Sequence, residues 1–288
     1  MELQLPLIAF TTLIAWSAGL FAMQCVYALE GADAKVQKPA WICAAVLLVV
    51  GGIAVFFHLQ HFERIFNGFG HITSGITIEL IAIVVLAIVA VVYLAVMRKQ
   101  QGQVPSWLAV VGIVVAALLV CVCGFSYEMP SRPAWNNPVQ ILSLVGAAFG
   151  MGSATMMAFY GAQESATDQG KKKAAILATI GCGVNATIVI IYLLVMAGAL
   201  GSIESVGYYF DPINPTSGMR SISGPLAAGN IGYSVAAIVG ALAACAVVWF
   251  GKKNLKTFGL LGAVCVLISA ICLRVVFYQV GYSAFTIF

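Results

Sequence analysis

The chain has 288 residues, of which 62% are apolar and 8% charged, with a formal net charge of +4. Soluble domains carry roughly a quarter charged residues, so the composition excludes an ordinary soluble globular protein. The small basic excess reads as membrane topology, not as a nucleic-acid surface.

In lipid, a helix of about 20 apolar residues satisfies its own backbone, whereas unsatisfied groups cost several kcal/mol each. Eight such stretches can be read, approximately at 6–28, 40–60, 74–97, 106–127, 138–162, 173–200, 229–250 and 257–280. Alternating ten-residue strands are absent, which argues against a barrel. The expected fold is therefore an all-α integral membrane protein in one domain. The first stretch follows MELQLP, which lacks a basic start, and its apolar part exceeds a secretion-signal core, so it is read as helix one. The connections after helices one, three, five and seven hold Lys35, Lys38, Arg98, Lys99, Lys171, Lys172, Lys173, Lys252, Lys253 and Lys256. Only Arg64, Arg132, Arg220 and Arg274 lie on or towards the other side, so the positive-inside rule predicts both termini outside the cytoplasm.

Helix five contains Gly146 and Gly150 in GAAFG, and helix six contains Gly181 and Gly183 beside Asn185. Small residues at such spacing let helices approach closely, and Asn185 is expected to bond to a neighbouring helix. All eight cysteines fall in apolar stretches without metal-ligand spacing, so they read as small packing residues. Residues 201–228 form the one long connection, outside by the same topology, which either caps the helices or meets a partner, or is a surface loop packed on itself.

The segment FFHLQHFERIFNGFGHITSGITIEL, residues 56–80, holds His58, His61 and His71, all the histidines of the chain, together with Glu79. His58 stands at the outer end of helix two. Glu79 lies about five residues into helix three, roughly 8 Å at 1.5 Å per residue, and Arg274 about six residues before the outer end of helix eight. The three are expected to meet at one level. An ionised side chain in the apolar layer costs about 2.5–3.5 kcal/mol, so such groups face a cavity or a partner. Arg274 could instead snorkel to the headgroups, and Glu79 could complete a structural ion pair. Arg64 could orient a carboxylate or contact an outside partner.

An imidazole and a carboxyl at the outer rim, bordered by Phe56, Phe57, Phe66 and Phe69, suit a lipid-soluble quinol. Such a substrate needs an apolar slot, a hydrogen-bond partner at each hydroxyl and a route for two protons. Haem is disfavoured because the histidines are confined to one connection and its margins, so electrons would leave to another polypeptide. A secondary transporter is one alternative, although it would need ionisable groups through the membrane, and the inner half offers only loop-end Glu164 and Asp168. A purely structural anchor is the other.

At these residues the chain resembles the membrane anchor subunit of the dimethyl sulfoxide reductase family, related to polysulfide-reductase-type anchors. LPLIAFTTL is similar to the family's opening of helix one. FHLQHFERIFN matches its His-Leu and Arg-x-Phe-Asn segment at His58, Leu59, Arg64, Phe66 and Asn67. SGITIE is similar to its Ser-rich start of helix three ending in a glutamate, here Glu79, and RVVFY contributes Arg274, Phe277 and Tyr278. The resemblance implies an eight-helix, menaquinol-oxidising anchor in a bacterial inner (cytoplasmic) membrane. It further implies an iron-sulfur subunit and a molybdopterin catalytic subunit as partners on the extracytoplasmic side, with no metal in this chain. By the same resemblance His58 and Glu79 would be catalytic. Arg64, Phe66, Arg274 and Tyr278 are read as quinol-binding beside them, with Arg64 and Arg274 supporting that site or the docking of the iron-sulfur partner.

Overall fold

The computed structural model describes residues 4–31, 33–57, 70–130, 132, 134–200, 204–206, 219–221 and 223–281. Among these residues eight helices are long and apolar enough to cross a membrane. They are α1 (Leu5–Ala28), α2 (Ala34–Phe56), α3 (Gly75–Lys99), α4 (Ser106–Phe125), α5 (Val139–Ala162), α6 (Asp168–Leu200), α7 (Ser223–Phe250) and α8 (Leu255–Gln279). Gly102 lies against Ala34, Thr167 bonds Asp33, and Lys171 and Lys172 share a cavity wall with Lys252 and Lys253, so the basic connections gather at one end of the bundle.

Several helices extend beyond their apolar runs, because a turn outside the hydrocarbon can satisfy its free backbone groups with water or a cap. The α2 helix begins at Ala34, not 40, accommodating Pro39 near its start, and α6 begins at Asp168, not 173. Thr167 Oγ1 accepts from the Gly170 N–H at 3.1 Å, satisfying one of the free amides of that first turn. The α7 helix begins at Ser223, six residues before its apolar run, and tolerates a proline in its first turn, where the missing N–H had no helical partner. The expected 201–228 connection is thus shorter than read. It contains a ribbon in which β1 (Glu204–Val206) pairs antiparallel with β2 (Met219–Ser221), Ser205 opposite Arg220.

The bundle consists of two groups of four, α1–α4 and α5–α8, joined where α1 packs on α5. These two helices have the largest buried shares, whereas α2 and α3 bury least. Exposed Val46, Val49 and Ile53 on α2 and Val84, Ile88 and Val91 on α3 would form a large water-exposed apolar patch in a soluble protein, but here they suit contact with lipid tails. Hydrogen bonds still cross between helices. Ser17 donates to the Ala44 carbonyl at 2.7 Å, Trp41 to the Ala90 carbonyl at 2.8 Å and Tyr93 to Gln37 Oε1 at 2.9 Å.

The α1–α5 crossing depends on two glycines. A Cβ on Gly19 would lie 1.9 Å from the Ala148 carbonyl oxygen, and one on Gly152 would lie 2.4 Å from the Gly19 carbonyl carbon. Both obstacles are backbone, which cannot rotate away. Gly146, Gly150 and Gly181 make the expected close approaches between α5 and α6, but a Cβ on Gly183 would meet nothing within 4 Å. Asn185 is buried against that α5 surface, and its Nδ2 has no hydrogen-bond partner among the described residues, unlike the interhelical bond expected of it. Gly152→Ala should therefore cost about 3 kcal/mol or more, at the top of the overpacking range, while Gly183→Ala should be near neutral. Melting of the two purified variants in detergent checks this, and equal melting temperatures would contradict the crossing.

All eight cysteines are free thiols within the helices, in keeping with packing roles. At the basic end, Lys173 Nζ pairs with Glu30 Oε2 at 2.7 Å and lies 5.0 Å from the Tyr27 ring centroid. The Thr167 N–H donates to Asp33 Oδ2 at 3.3 Å. These contacts tie the α1–α2 and α5–α6 connections together.

Candidate functional site

At the opposite end, a cavity of about 540 Å³ opens among elements distant in sequence. Its lining includes Leu7 near the start of α1, Val55 near the end of α2, Ile76 and Glu79 in α3, and Tyr278 in α8. The α4–α5 connection adds Ser126, Tyr127, Arg132 and Trp135.

The position of Glu79 follows from the start of α3. Ser74 is the N-cap, its Oγ accepting from the Thr77 N–H at 3.3 Å, which sets the helical phase and leaves Glu79 in the second turn, facing inward. A Cβ added to Gly75 would stand 3.0 Å from Ser126 Cβ, so glycine there lets the end of α4 lie close against α3. Glu79 is consequently 7% exposed, and Ser126 Oγ donates to its Oε1. Ser126 Oγ also lies 3.1 Å from the Cys123 carbonyl oxygen. One hydroxyl hydrogen serves one acceptor at a time. With Glu79 ionised, Ser126 donates to the carboxylate. With Glu79 protonated, the carboxyl can donate to Ser126, whose hydrogen turns to Cys123. Either protonation state keeps a hydrogen-bond partner.

The facing wall is aromatic. Trp135 stacks on Phe277 with centroids 4.9 Å apart and planes 13° from parallel, and Tyr127 meets both rings edge-on at 5.6 Å. Tyr278 Oη donates to Tyr127 Oη at 2.9 Å. Tyr127 lies beyond the end of α4, where burial, and secondarily Tyr278, push its phenol up and keep it a proton donor. Trp135 Nε1 donates to the Phe277 carbonyl at 2.7 Å. The Arg132 guanidinium covers the Trp135 ring at 4.3 Å and donates to the Gly281 carbonyl at 3.1 Å. Together these contacts clamp the α4–α5 connection to the end of α8.

Of the residues singled out from the sequence, Glu79 and Tyr278 line this cavity. Arg274 does not. One turn before Tyr278, it is 3% exposed, donating from Nη1 to Gln140 Oε1 at 2.8 Å and from Nη2 to Ser143 Oγ, both on α5. Its guanidinium also stands 5.0 Å from the Phe277 ring centroid. Snorkelling is ruled out by this burial, and the expected meeting with Glu79 is replaced by a neutral hydrogen-bonded pocket. His58, Arg64 and Phe66 lie outside the described residues, as do His61 and Phe69. His71, described, is exposed.

Sequence reasoning passed over Ser126, Tyr127 and Trp135, and Arg132 was noted only for its side of the membrane. A usable signal was the polar-aromatic composition of SYEMPSRPAW between two apolar runs, because aromatics and an arginine in a short connection are suited to covering the bundle end. No protein-family model matches the chain and no curated protein matches it, so the resemblance in FHLQHFERIFN, SGITIE and RVVFY stands on those residues alone.

Proposed function

We propose that this chain is the membrane anchor and menaquinol-oxidising subunit of a respiratory molybdoenzyme complex such as dimethyl sulfoxide reductase. The observation that carries the reading is the cavity in which a buried carboxyl, a hydrogen-bonded phenol pair and Trp135, itself stacked on the buried Phe277, meet at one end of the bundle. Its volume falls in the range of small-molecule sites, which are mainly apolar with a few placed polar groups. The lysine-rich opposite end supports placing the cavity and both termini outside the cytoplasm, in a bacterial inner membrane.

In this mechanism the quinol ring lies beside Trp135 and Tyr127, and one hydroxyl donates to Glu79. His58, by the family resemblance, would hydrogen-bond the other hydroxyl and take its proton, to be released on the outer side. Oxidation releases two electrons and two protons from the quinol, leaving the quinone. The electrons pass to an iron-sulfur subunit docked on this end, which feeds a molybdopterin subunit. The proton taken by Glu79 moves by way of Ser126, which also lines a smaller cavity of about 190 Å³ beside Glu128, and leaves on the same outer side. An apolar groove of about 180 Å³ between α2 and α3, lined by Leu48, Leu86 and Ala90 among others, suits the isoprenoid tail.

The test is binding of a fluorescent quinone-headgroup inhibitor to the purified full-length chain. Saturable one-to-one binding is expected, with Ile76→Trp, which narrows the cavity, weakening it about tenfold or more, equivalent to about 1.4 kcal/mol. Absence of saturable binding, or affinity untouched by Ile76→Trp, would overturn the site. Solute uptake by liposomes holding this chain alone would favour a transporter instead.

A further inference from the structure

Gly161 at the end of α5 lines a second cavity, of about 680 Å³, at the far end of that helix from Trp135. It is walled by Lys171 and Lys172 from α6, Lys252 and Lys253 from the α7–α8 connection, and apolar Ile176 and Leu255. Among the described residues none of these four ammonium groups has a carboxylate at ion-pair distance. Lys171 Nζ donates to the Glu164 backbone carbonyl at 3.3 Å, and Lys252 Nζ lies 3.9 Å from the Trp249 ring centroid. Four cations around one concavity, with no acid in its lining, create a strongly positive site.

General topology anchors do not require such a shape. Lys35, Lys38 and Lys99 stand exposed at the same end without lining the cavity. Two observations indicate that the occupant is a lipid rather than a soluble anion. Ile176 is part of the cavity wall and 48% exposed, and exposed Ile180, Val184 and Ile191 continue from it along the same helix at near-helical spacing. Trp249 and Phe250, also exposed, stand where aromatic side chains mark the membrane–water boundary.

We infer that this cavity binds the phosphate of an anionic phospholipid, with its lysines around the headgroup and an acyl chain along the exposed Ile176–Ile191 face of α6. The inference is independent of the quinol reading, because the two cavities lie at opposite ends of α5. Basic pockets between transmembrane helices are suited to such headgroups, and each lysine near the surface contributes roughly fivefold in affinity.

The experiment uses the full-length chain, in whatever complex it purifies, in non-ionic detergent. Native mass spectrometry and thermal melting are followed while phosphatidylglycerol, phosphatidylcholine or glycerol phosphate is added. Phosphatidylglycerol should bind and raise the melting temperature, phosphatidylcholine and glycerol phosphate should not. The double variant Lys172→Gln/Lys253→Gln should bind phosphatidylglycerol about 25-fold more weakly, while Lys38→Gln/Lys99→Gln, which removes two charges from the same end, should bind as the parent does. If the cavity double variant does not fold, Lys253→Gln alone should show about a fivefold loss. Equal losses in cavity and control variants, no preference for phosphatidylglycerol over phosphatidylcholine, or stabilisation by glycerol phosphate alone would each overturn the inference.

Discussion

Glu79→Gln is expected, if the chain oxidises quinol as proposed, to lower quinol-dependent electron transfer by roughly 100-fold or more, while the proposed complex assembles and still takes electrons from an artificial dye. The size follows from the worth of a positioned proton acceptor, about 10²–10⁴-fold. The selectivity follows from geometry. Glutamine is close to isosteric with glutamate, and its amide oxygen can accept from Ser126 as Glu79 Oε1 does, so α3 and the end of α4 should keep their contact. What disappears is the ability to bind and release a proton. Glu79→Gln should therefore depress kcat far more than it raises KM for the quinol. Steady-state turnover of the purified complex with a quinol analogue, set against dye-linked turnover, measures this. Normal quinol turnover in Glu79→Gln would remove Glu79 from the mechanism. Loss of dye-linked turnover as well would point to a role in assembly.

Gln140→Leu is expected to destabilise the bundle by about 1.5–3 kcal/mol, the worth of a hydrogen bond to a charged group. Gln140 is fully buried, and its Oε1 accepts from the Arg274 guanidinium, whose described partners include no carboxylate. Removing that acceptor leaves a buried cation with Ser143 and the face of Phe277. Arg274→Leu removes the charge itself, and replacing a buried ion by an apolar side chain is often tolerated. Its cost should be smaller than that of Gln140→Leu, although the arginine is the larger and more conspicuous residue. Melting of both variants in one detergent decides the order. If Arg274→Leu proves the more damaging, Arg274 has a task beyond the α5–α8 contact.

The two sites illustrate different degrees of legibility in the amino-acid sequence. The eight helices were readable because the length of an apolar run is a local property set by the thickness of the hydrocarbon. Glu79 was noticeable for a related reason, since a carboxyl within such a run is costly to bury without a purpose or a partner. Helix ends were less legible at Ala34, Asp168 and Ser223, where the helix runs past the apolar boundary into a polar setting that can satisfy its free backbone groups.

The partners of those conspicuous residues could not be read in the same way. Ser126 bonds Glu79 across 47 positions, Gln140 bonds Arg274 across 134, and Tyr127 bonds Tyr278 across 151. None of these pairs has a spacing rule, because each depends on how α1, α3, α4, α5 and α8 pack. That packing turns on close approaches such as Gly19 with Gly152 and Gly75 with Ser126. The membrane-spanning class, the number of apolar spans and the end at which basic residues gather are legible in the chain alone, since each of these is a sum over neighbouring residues and their solvent. That Tyr278 and Trp135 share a cavity with Glu79 while Arg274 turns to α5 emerges from packing, because side-chain direction depends on helix phase and on contacts distant in the chain.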